Sequence, residues 1–162
     1  MIGEISMEIE RKFLLNNFPN NLKCIETAMV SQGYISINPE VRIRSYEYND
    51  DKKFVLTIKG EGDLSRNEME VCITEEAFKG ISEIINKPLI EKDYRKYQLS
   101  DGLILECSHV DKGSASEFIY AEIEFENEEQ AKEFIVPDFL EKEITDCPEY
   151  KMKNYWKRTR NS

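Results

Sequence analysis

Near the N-terminus, in Met7-Glu8-Ile9-Glu10-Arg11-Lys12-Phe13, two carboxylates and an ammonium recur at every second position. Successive side chains of an extended strand point to opposite faces, so Glu8, Glu10 and Lys12 share one face. The same spacing returns in Arg42 with Arg44, Thr57 with Lys59, Arg66 with Glu68 and Glu70, and Glu122 with Glu124 and Glu126. In each stretch the alternate positions are mainly apolar, as in Val41 and Ile43 or Ala121, Ile123 and Phe125. An antiparallel sheet with one wet face accounts for any single stretch. The set as a whole asks for more, because a solubilising face would use Lys, Thr, Ser and Gln more freely. The economical arrangement is a barrel with charged faces inward and apolar faces outward under helices. Charges taken out of water need partners or a ligand. Arg and Lys bind phosphate oxygens, Arg bidentately. Clustered carboxylates repel one another and suit a hard divalent cation, Mg²⁺ or Mn²⁺. Together these features describe a polyphosphate site with metal-assisted phosphoryl transfer.

The elements that must carry these faces follow from periodicity and turn signals. Strands are expected over 5–15, 28–37, 40–48, 53–60, 65–73, 89–99, 103–110 and 118–126. Asn38-Pro39, Asn49-Asp50-Asp51 and Ser100-Asp101-Gly102 punctuate them. Thr74 can cap a helix to about Asn86 with Phe78, Ile81, Ile84 and Ile85 as its apolar stripe. Asn127, with Gln130 as a capping-box partner, opens a second helix that ends before Pro137. A third is expected over about 146–158, with Tyr150, Met152, Tyr155 and Trp156 as its packing positions. The expected fold is α+β: an eight-stranded antiparallel β-barrel, or tunnel, with a charged lumen and helices packed outside. Short turns between neighbouring strands favour the antiparallel arrangement, and eight strands close around a small ligand.

The chain has 162 residues, enough for a single domain with a proper core, here taken as 1–162. A net charge of −10 argues against nucleic acid and against anionic membrane surfaces as partners. No run of 18 apolar residues is present and the N-terminus lacks a signal-peptide pattern, so the expected location is cytoplasmic. Cys24, Cys72, Cys107 and Cys147 lack zinc spacing and read as small core residues. His109 is the only histidine and stands in no nucleophilic motif.

Glu8-x-Glu10-x-Lys12 resembles the E-x-E-x-K signature of the CYTH superfamily, the triphosphate tunnel metalloenzymes. The resemblance continues through Gln32-Gly33-Tyr34-Ile35, Val41-Arg42-Ile43-Arg44, Leu56-Thr57-Ile58-Lys59 and Ser65-Arg66-Asn67-Glu68-x-Glu70. It resumes at Ala121-Glu122-Ile123-Glu124-Phe125 and in a tail carrying Pro137, Leu140, Glu143, Ile144, Thr145, Tyr150 and Asn154. It implies that Lys12, Arg42, Arg44, Lys59 and Arg66 grip a triphosphate, and that Glu8, Glu10, Glu122 and Glu124 hold one or two Mg²⁺ or Mn²⁺. Glu68, Glu70 and Glu106 would support them. Tyr34, lowered in pKa by Lys12, would take a proton from the attacking water. The family's sixth-strand K-x-R pattern is broken here. Lys92 and Arg95 stand three apart, leaving Lys92 with Lys96, or Arg95 alone, to fill the role. Ser108 stands where relatives often carry an acid, with Asp111 as a substitute after a shift.

The compact N-terminal region most resembles the bacterial inorganic tripolyphosphatases. The implied reaction is metal-dependent hydrolysis of inorganic tripolyphosphate to pyrophosphate and phosphate. A class IV-type adenylate cyclase, a thiamine or nucleoside triphosphatase, and a non-catalytic polyphosphate-binding module are the alternatives. The expected partner is a small polyphosphate or nucleotide, and a homodimer is compatible with this reading.

Overall fold

A computed structural model describes residues 3–160. Eight strands form a closed barrel: β1 (Glu4–Leu15), β2 (Cys24–Ser36), β3 (Glu40–Glu47), β4 (Lys52–Lys59), β5 (Ser65–Cys72), β6 (Ile90–Gln98), β7 (Ile104–Val110) and β8 (Phe118–Glu124). Their order around the wall is β1-β5-β4-β3-β2-β6-β7-β8, and every pairing is antiparallel. This is the expected tunnel topology. The bounds of the single domain fall at residues outside the described range.

Strand β1 is shared along its length. Glu4 to Ile9 pair with β5, whereas Glu10 to Leu15 pair with β8. Beyond Ile9 the edge of β1 that faced β5 is taken over by the end of the β4–β5 turn and by the C-terminal segment. The Glu10 amide donates to Leu64 O at 3.1 Å, the Ile144 amide to Lys12 O at 2.8 Å, and the Leu14 amide to Lys142 O at 2.9 Å. The C-terminal segment therefore completes the wall where β5 leaves it, and satisfies backbone groups that would otherwise be orphaned.

One apolar cluster lies on the side of the wall opposite Glu8, Glu10 and Lys12. Ile9, Phe13 and Leu15 join Leu105, Cys107, Ala121, Ile123 and Phe125 in one buried cluster that also holds Ala131. Ala131 belongs to α2 (Glu128–Glu133), whose N-terminus is capped by Asn127 Oδ1 accepting from the Gln130 amide at 2.7 Å. Gln130 reaches back as expected, although to the Glu126 amide. A second cluster gathers Tyr34, Ile90, Val110, Tyr120 and Ile144 around Met152, Tyr155 and Trp156 of α3 (Met152–Arg160). Here the expected helix over 146–158 is corrected. Pro148–Tyr150 form a 3-10 turn and Lys151 is extended, so the α-helix starts later and runs to Arg160.

Helix α1 (Glu75–Ile85) begins where Thr74 accepts from the Ala77 amide and stops at Asn86, whose φ of 52° is left-handed. Phe78 packs on Phe54, with ring centroids 5.3 Å apart, but Ile84 is 85% exposed and is no part of the stripe. Among the cysteines only Cys107 is a buried core residue, while Cys24 and Cys72 are exposed. No helix among the described residues is long and apolar enough to cross a membrane.

Ile123 is fully buried, between Arg11 of β1 and Leu105 of β7 in the wall. Truncation to Ala should cost about 2–5 kcal/mol of unfolding free energy in urea titration. A cost near zero would mean that this outer layer does not hold the barrel together.

Candidate active site

The barrel encloses a cavity of about 290 Å³. Its wall brings together Glu8, Glu10, Lys12, Arg42, Arg44, Lys59, Arg66, Glu68, Glu70, Lys92, Glu106, Glu122 and Glu124. Register explains why. Glu8 lies opposite Arg66, Lys59 opposite Glu68, and Lys12 opposite Glu122, so alternating charges from neighbouring strands meet on the inner face.

The cations and carboxylates hold one another. Lys59 Nζ donates to Glu8 Oε1 at 3.0 Å and lies 3.9 Å from Glu68. Arg44 donates to Glu70 at 3.0 Å, where Thr57 also donates, and Arg66 donates to Glu40 at 3.3 Å. Lys12 Nζ donates to Tyr150 O at 2.8 Å and lies 4.1 Å from the centre of the Tyr120 ring. The Tyr120 hydroxyl accepts from Lys92 Nζ at 2.8 Å. One tyrosine therefore sits between two buried lysines, a cation–π contact on its face and a hydrogen bond on its edge. Arg42 Nε and Arg44 Nε are buried with no partner among the described residues. Such unpaired donors are costly and are usually met by water or a ligand.

The carboxylates titrate against one another. Burial raises Glu10, and the neighbouring Glu122 charge raises it further, so it stands well above the usual carboxylate range. Burial opposes ionisation of Glu122 too, but Lys12 and a hydrogen bond to Glu10 bring it down to about 2. Glu8 and Glu68 repeat the pattern. Burial would raise Glu8, but Lys59 holds it far below the ordinary value. Burial and a hydrogen bond to Glu8 push Glu68 up to about 7. Each pair brings two hard oxygen donors together, the donor type that suits a divalent cation. Among the described residues no three acidic, His or Cys side chains converge into a ready coordination shell. The donor chemistry thus fits a hard cation, and a full shell would need oxygens from a ligand or water. Burial lowers the lysines Lys12 and Lys92, Lys92 well below its ordinary value with Arg42 adding to the effect.

Two expected site residues are not part of this wall. Arg95 turns away from the cavity, donating to Asp93 at 2.9 and 3.1 Å and stacking on Phe18. Lys92 is the β6 cation of the cavity, and the next inward position is Tyr94, which hydrogen-bonds Glu106. Alternation within an unbroken strand puts 92, 94 and 96 on one face and 95 on the other. Lys96 pairs with Glu26 at 3.4 Å. Tyr34 is packed against Trp156, and its hydroxyl accepts from Gln32 at 2.9 Å. Burial pushes that hydroxyl up to about 12, with Arg42 opposing the rise, which reverses the expected lowering by Lys12. Asp111 is also elsewhere, bound to Tyr155 and Arg160. His109 faces Glu117 at 2.8 Å.

Sequence reasoning missed Glu40, Tyr46 and Tyr120, although each stands two residues from a recognised inward residue on the same strand. It also missed Asp63, Thr145, Tyr150 and Lys151, which reach the cavity wall from a turn and from the C-terminal segment. No local pattern carries that information.

Glu68 gives a pH test. A carboxyl raised above its value of 4.5 keeps a proton in the native state that the unfolded chain has already released. Its contribution is complete below 4.5 and is lost as pH rises through about 7. In chelator, wild-type thermal stability should therefore fall from pH 5 to pH 8 more steeply than that of Glu68→Gln. Parallel profiles would show that Glu68 holds no such proton.

No protein-family model matches the chain. Curated relatives do. The inorganic triphosphatase of Nitrosomonas europaea is 32% identical over 149 residues, spanning 90% of this chain and 94% of its own. That of Acetivibrio thermocellus is likewise 32% identical over 149 residues, 91% of each chain. A crystal structure of an inorganic triphosphatase superposes with a TM-score of 0.65 at 28% identity, over 91% of this chain and 93% of that one. A Pyrococcus horikoshii protein shares the fold at a TM-score of 0.57 and 18% identity, over 78% of this chain and 82% of its own. With identity at this level along nearly the whole length, on the same closed barrel, the chain belongs to the inorganic triphosphatases of the CYTH superfamily.

Proposed function

We propose that the protein hydrolyses inorganic tripolyphosphate to pyrophosphate and phosphate. The observation that carries this reading is the single cavity in which Lys12, Arg42, Arg44, Lys59, Arg66 and Lys92 face paired carboxylates. So many cations at short range have no use for an apolar ligand, and a chain of phosphates offers an oxygen to each. In this reading the Arg42 and Arg44 guanidinium groups grip the chain bidentately. Lys12 and Lys92, held by Tyr120, neutralise charge on the leaving pyrophosphate. Glu8, Glu10, Glu122 and Glu124 would hold Mg²⁺ or Mn²⁺, which would supply charge neutralisation and activation of the attacking water. Glu68, Glu70 and Glu106 would keep the cations aimed.

Tyr34 enters through Arg42, which faces it across β2 and β3. A hydroxyl pushed up to about 12 is protonated at neutral pH, so in this account it orients the guanidinium instead of accepting a proton.

Organic triphosphates are the second reading, favoured by one observation. Tyr46 lines the cavity, stacks with Tyr48 at 6.2 Å and meets Tyr94 edge-on at 5.9 Å. That surface can take a flat ring.

Phosphate release from tripolyphosphate, ATP and thiamine triphosphate, each with Mg²⁺ or Mn²⁺, tests the proposal. Tripolyphosphate should be turned over fastest, and chelation should abolish the activity. Glu10→Gln and Glu124→Gln should each lower metal-dependent turnover by about 10²–10³-fold. Saturable binding without phosphate release would make this a binding module, and cyclic AMP from ATP would make it a cyclase.

A further inference from the structure

One carboxylate of the cavity has no role in the reading above. Glu40 opens β3, lines the cavity and is only 5% exposed. It stands two residues before Arg42, so both side chains point inward. Register sets it opposite Lys59, but the Lys59 ammonium goes to Glu8 and lies near Glu68. Glu40 is left to arginines. Its Oε1 accepts from Arg66 Nη1 at 3.3 Å, and its Oε2 lies 4.0 Å from Arg42 Nη1, beyond hydrogen-bonding distance. The carboxylate thus sits between a guanidinium of β3 and one of β5.

Its geometry differs from that of other ion pairs in the same protein. Arg11 meets Glu143 with two donors, at 2.6 and 2.9 Å. Arg44 meets Glu70 at 3.0 Å, where Thr57 adds a donor at 3.2 Å. The Arg66–Glu40 contact, made through Nη1, is longer than all of these. Glu40 also does not satisfy Arg42, whose Nε is buried with no partner among the described residues. A carboxylate held this loosely, by two cations that the phosphate reading assigns to substrate, is the anion that a phosphate group would displace.

We infer that Glu40 is an internal competitor for phosphate: it holds Arg66 and faces Arg42 before substrate binds, and contends with the product for both afterwards. The inference rests on the triphosphatase reading and adds a residue that governs product release. A phosphate oxygen that takes Arg66 Nη1 leaves a buried carboxylate one donor short, which is unfavourable. That cost subtracts from the affinity of any phosphate chain bound there. Tripolyphosphate offsets it with oxygens along the whole cation wall. Pyrophosphate, one phosphate shorter, has fewer contacts with which to do so. Glu40 acts through the arginines, as a positioning residue, and not on the reacting atoms.

The experiment measures pyrophosphate in two ways with saturating Mg²⁺: as an inhibitor of tripolyphosphate hydrolysis, and directly by titration calorimetry. Glu40→Gln keeps the size of the side chain and removes its charge. The inhibition constant and the Kd should both fall roughly three- to tenfold. Glu40→Asp keeps the charge but draws it back from Arg66, and should move both constants the same way by a smaller factor; it serves as the test if Glu40→Gln does not fold. Glu70→Gln removes the same charge from the closer Arg44 pair and should not tighten pyrophosphate. Equal tightening in Glu40→Gln and Glu70→Gln would reduce the effect to cavity charge and overturn the inference. So would unchanged or weaker pyrophosphate binding in Glu40→Gln, which would make Glu40 a brace, or weaker Mn²⁺ binding, which would make it a metal ligand. A wild-type protein that releases no phosphate from tripolyphosphate overturns the triphosphatase reading and the role in product release with it.

Discussion

The cost of taking charge out of water is the constraint on which this structure turns. More than a dozen ionic side chains share one small cavity, and few of them could be buried alone. Lys59 answers Glu8, Arg44 answers Glu70, and Arg66 answers Glu40. Each answer depends on strand register. A slip of one residue between β1 and β5 would turn the inward charges out and the apolar row in. The barrel is thus specified from inside by ion pairing as well as from outside by apolar burial. The carboxylate–carboxylate contacts, Glu10 with Glu122 and Glu8 with Glu68, are the part of the network that protein groups leave incomplete.

The outer layer has a different task. Phe13, Leu105 and Ile123 carry no chemistry, but they hold the inward residues at fixed spacing, because a packed wall resists deformation. The tail does more than pack. Ile144 pairs with the backbone of Lys12, Tyr150 O takes the Lys12 ammonium, and Lys151 reaches the β4–β5 turn. Residues more than 130 positions away therefore set the place of Lys12.

Most of the wall was legible because strand alternation is a local rule. Once Glu8-x-Glu10-x-Lys12 is read as a strand, the inward partners on other strands follow by the same count. That rule also decides β6, where Lys92 and Tyr94 face inward and Arg95 does not; pairing by charge type alone pointed to Arg95. Tyr34 shows a different limit. Its place on β2 is clear from sequence, but its hydroxyl environment depends on Gln32, Arg42 and the Trp156 ring, which only tertiary packing brings together. The approach of Asp63, Thr145 and Lys151 to the cavity was illegible for the same reason. The late start of α3 reflects Lys151, held extended between the 3-10 turn and the helix, a tertiary demand that overrides good helix formers on either side.

The central claim is that the paired charges of the barrel are a receptor for a phosphate chain and a hard cation. A crystal structure with tripolyphosphate and Mn²⁺, using the anomalous signal of manganese, tests it most directly. The account predicts phosphate density against Arg42, Arg44, Lys59 and Arg66, with manganese at Glu10 and Glu122. Phosphate bound on the outer surface, with the internal ion pairs undisturbed, would contradict it.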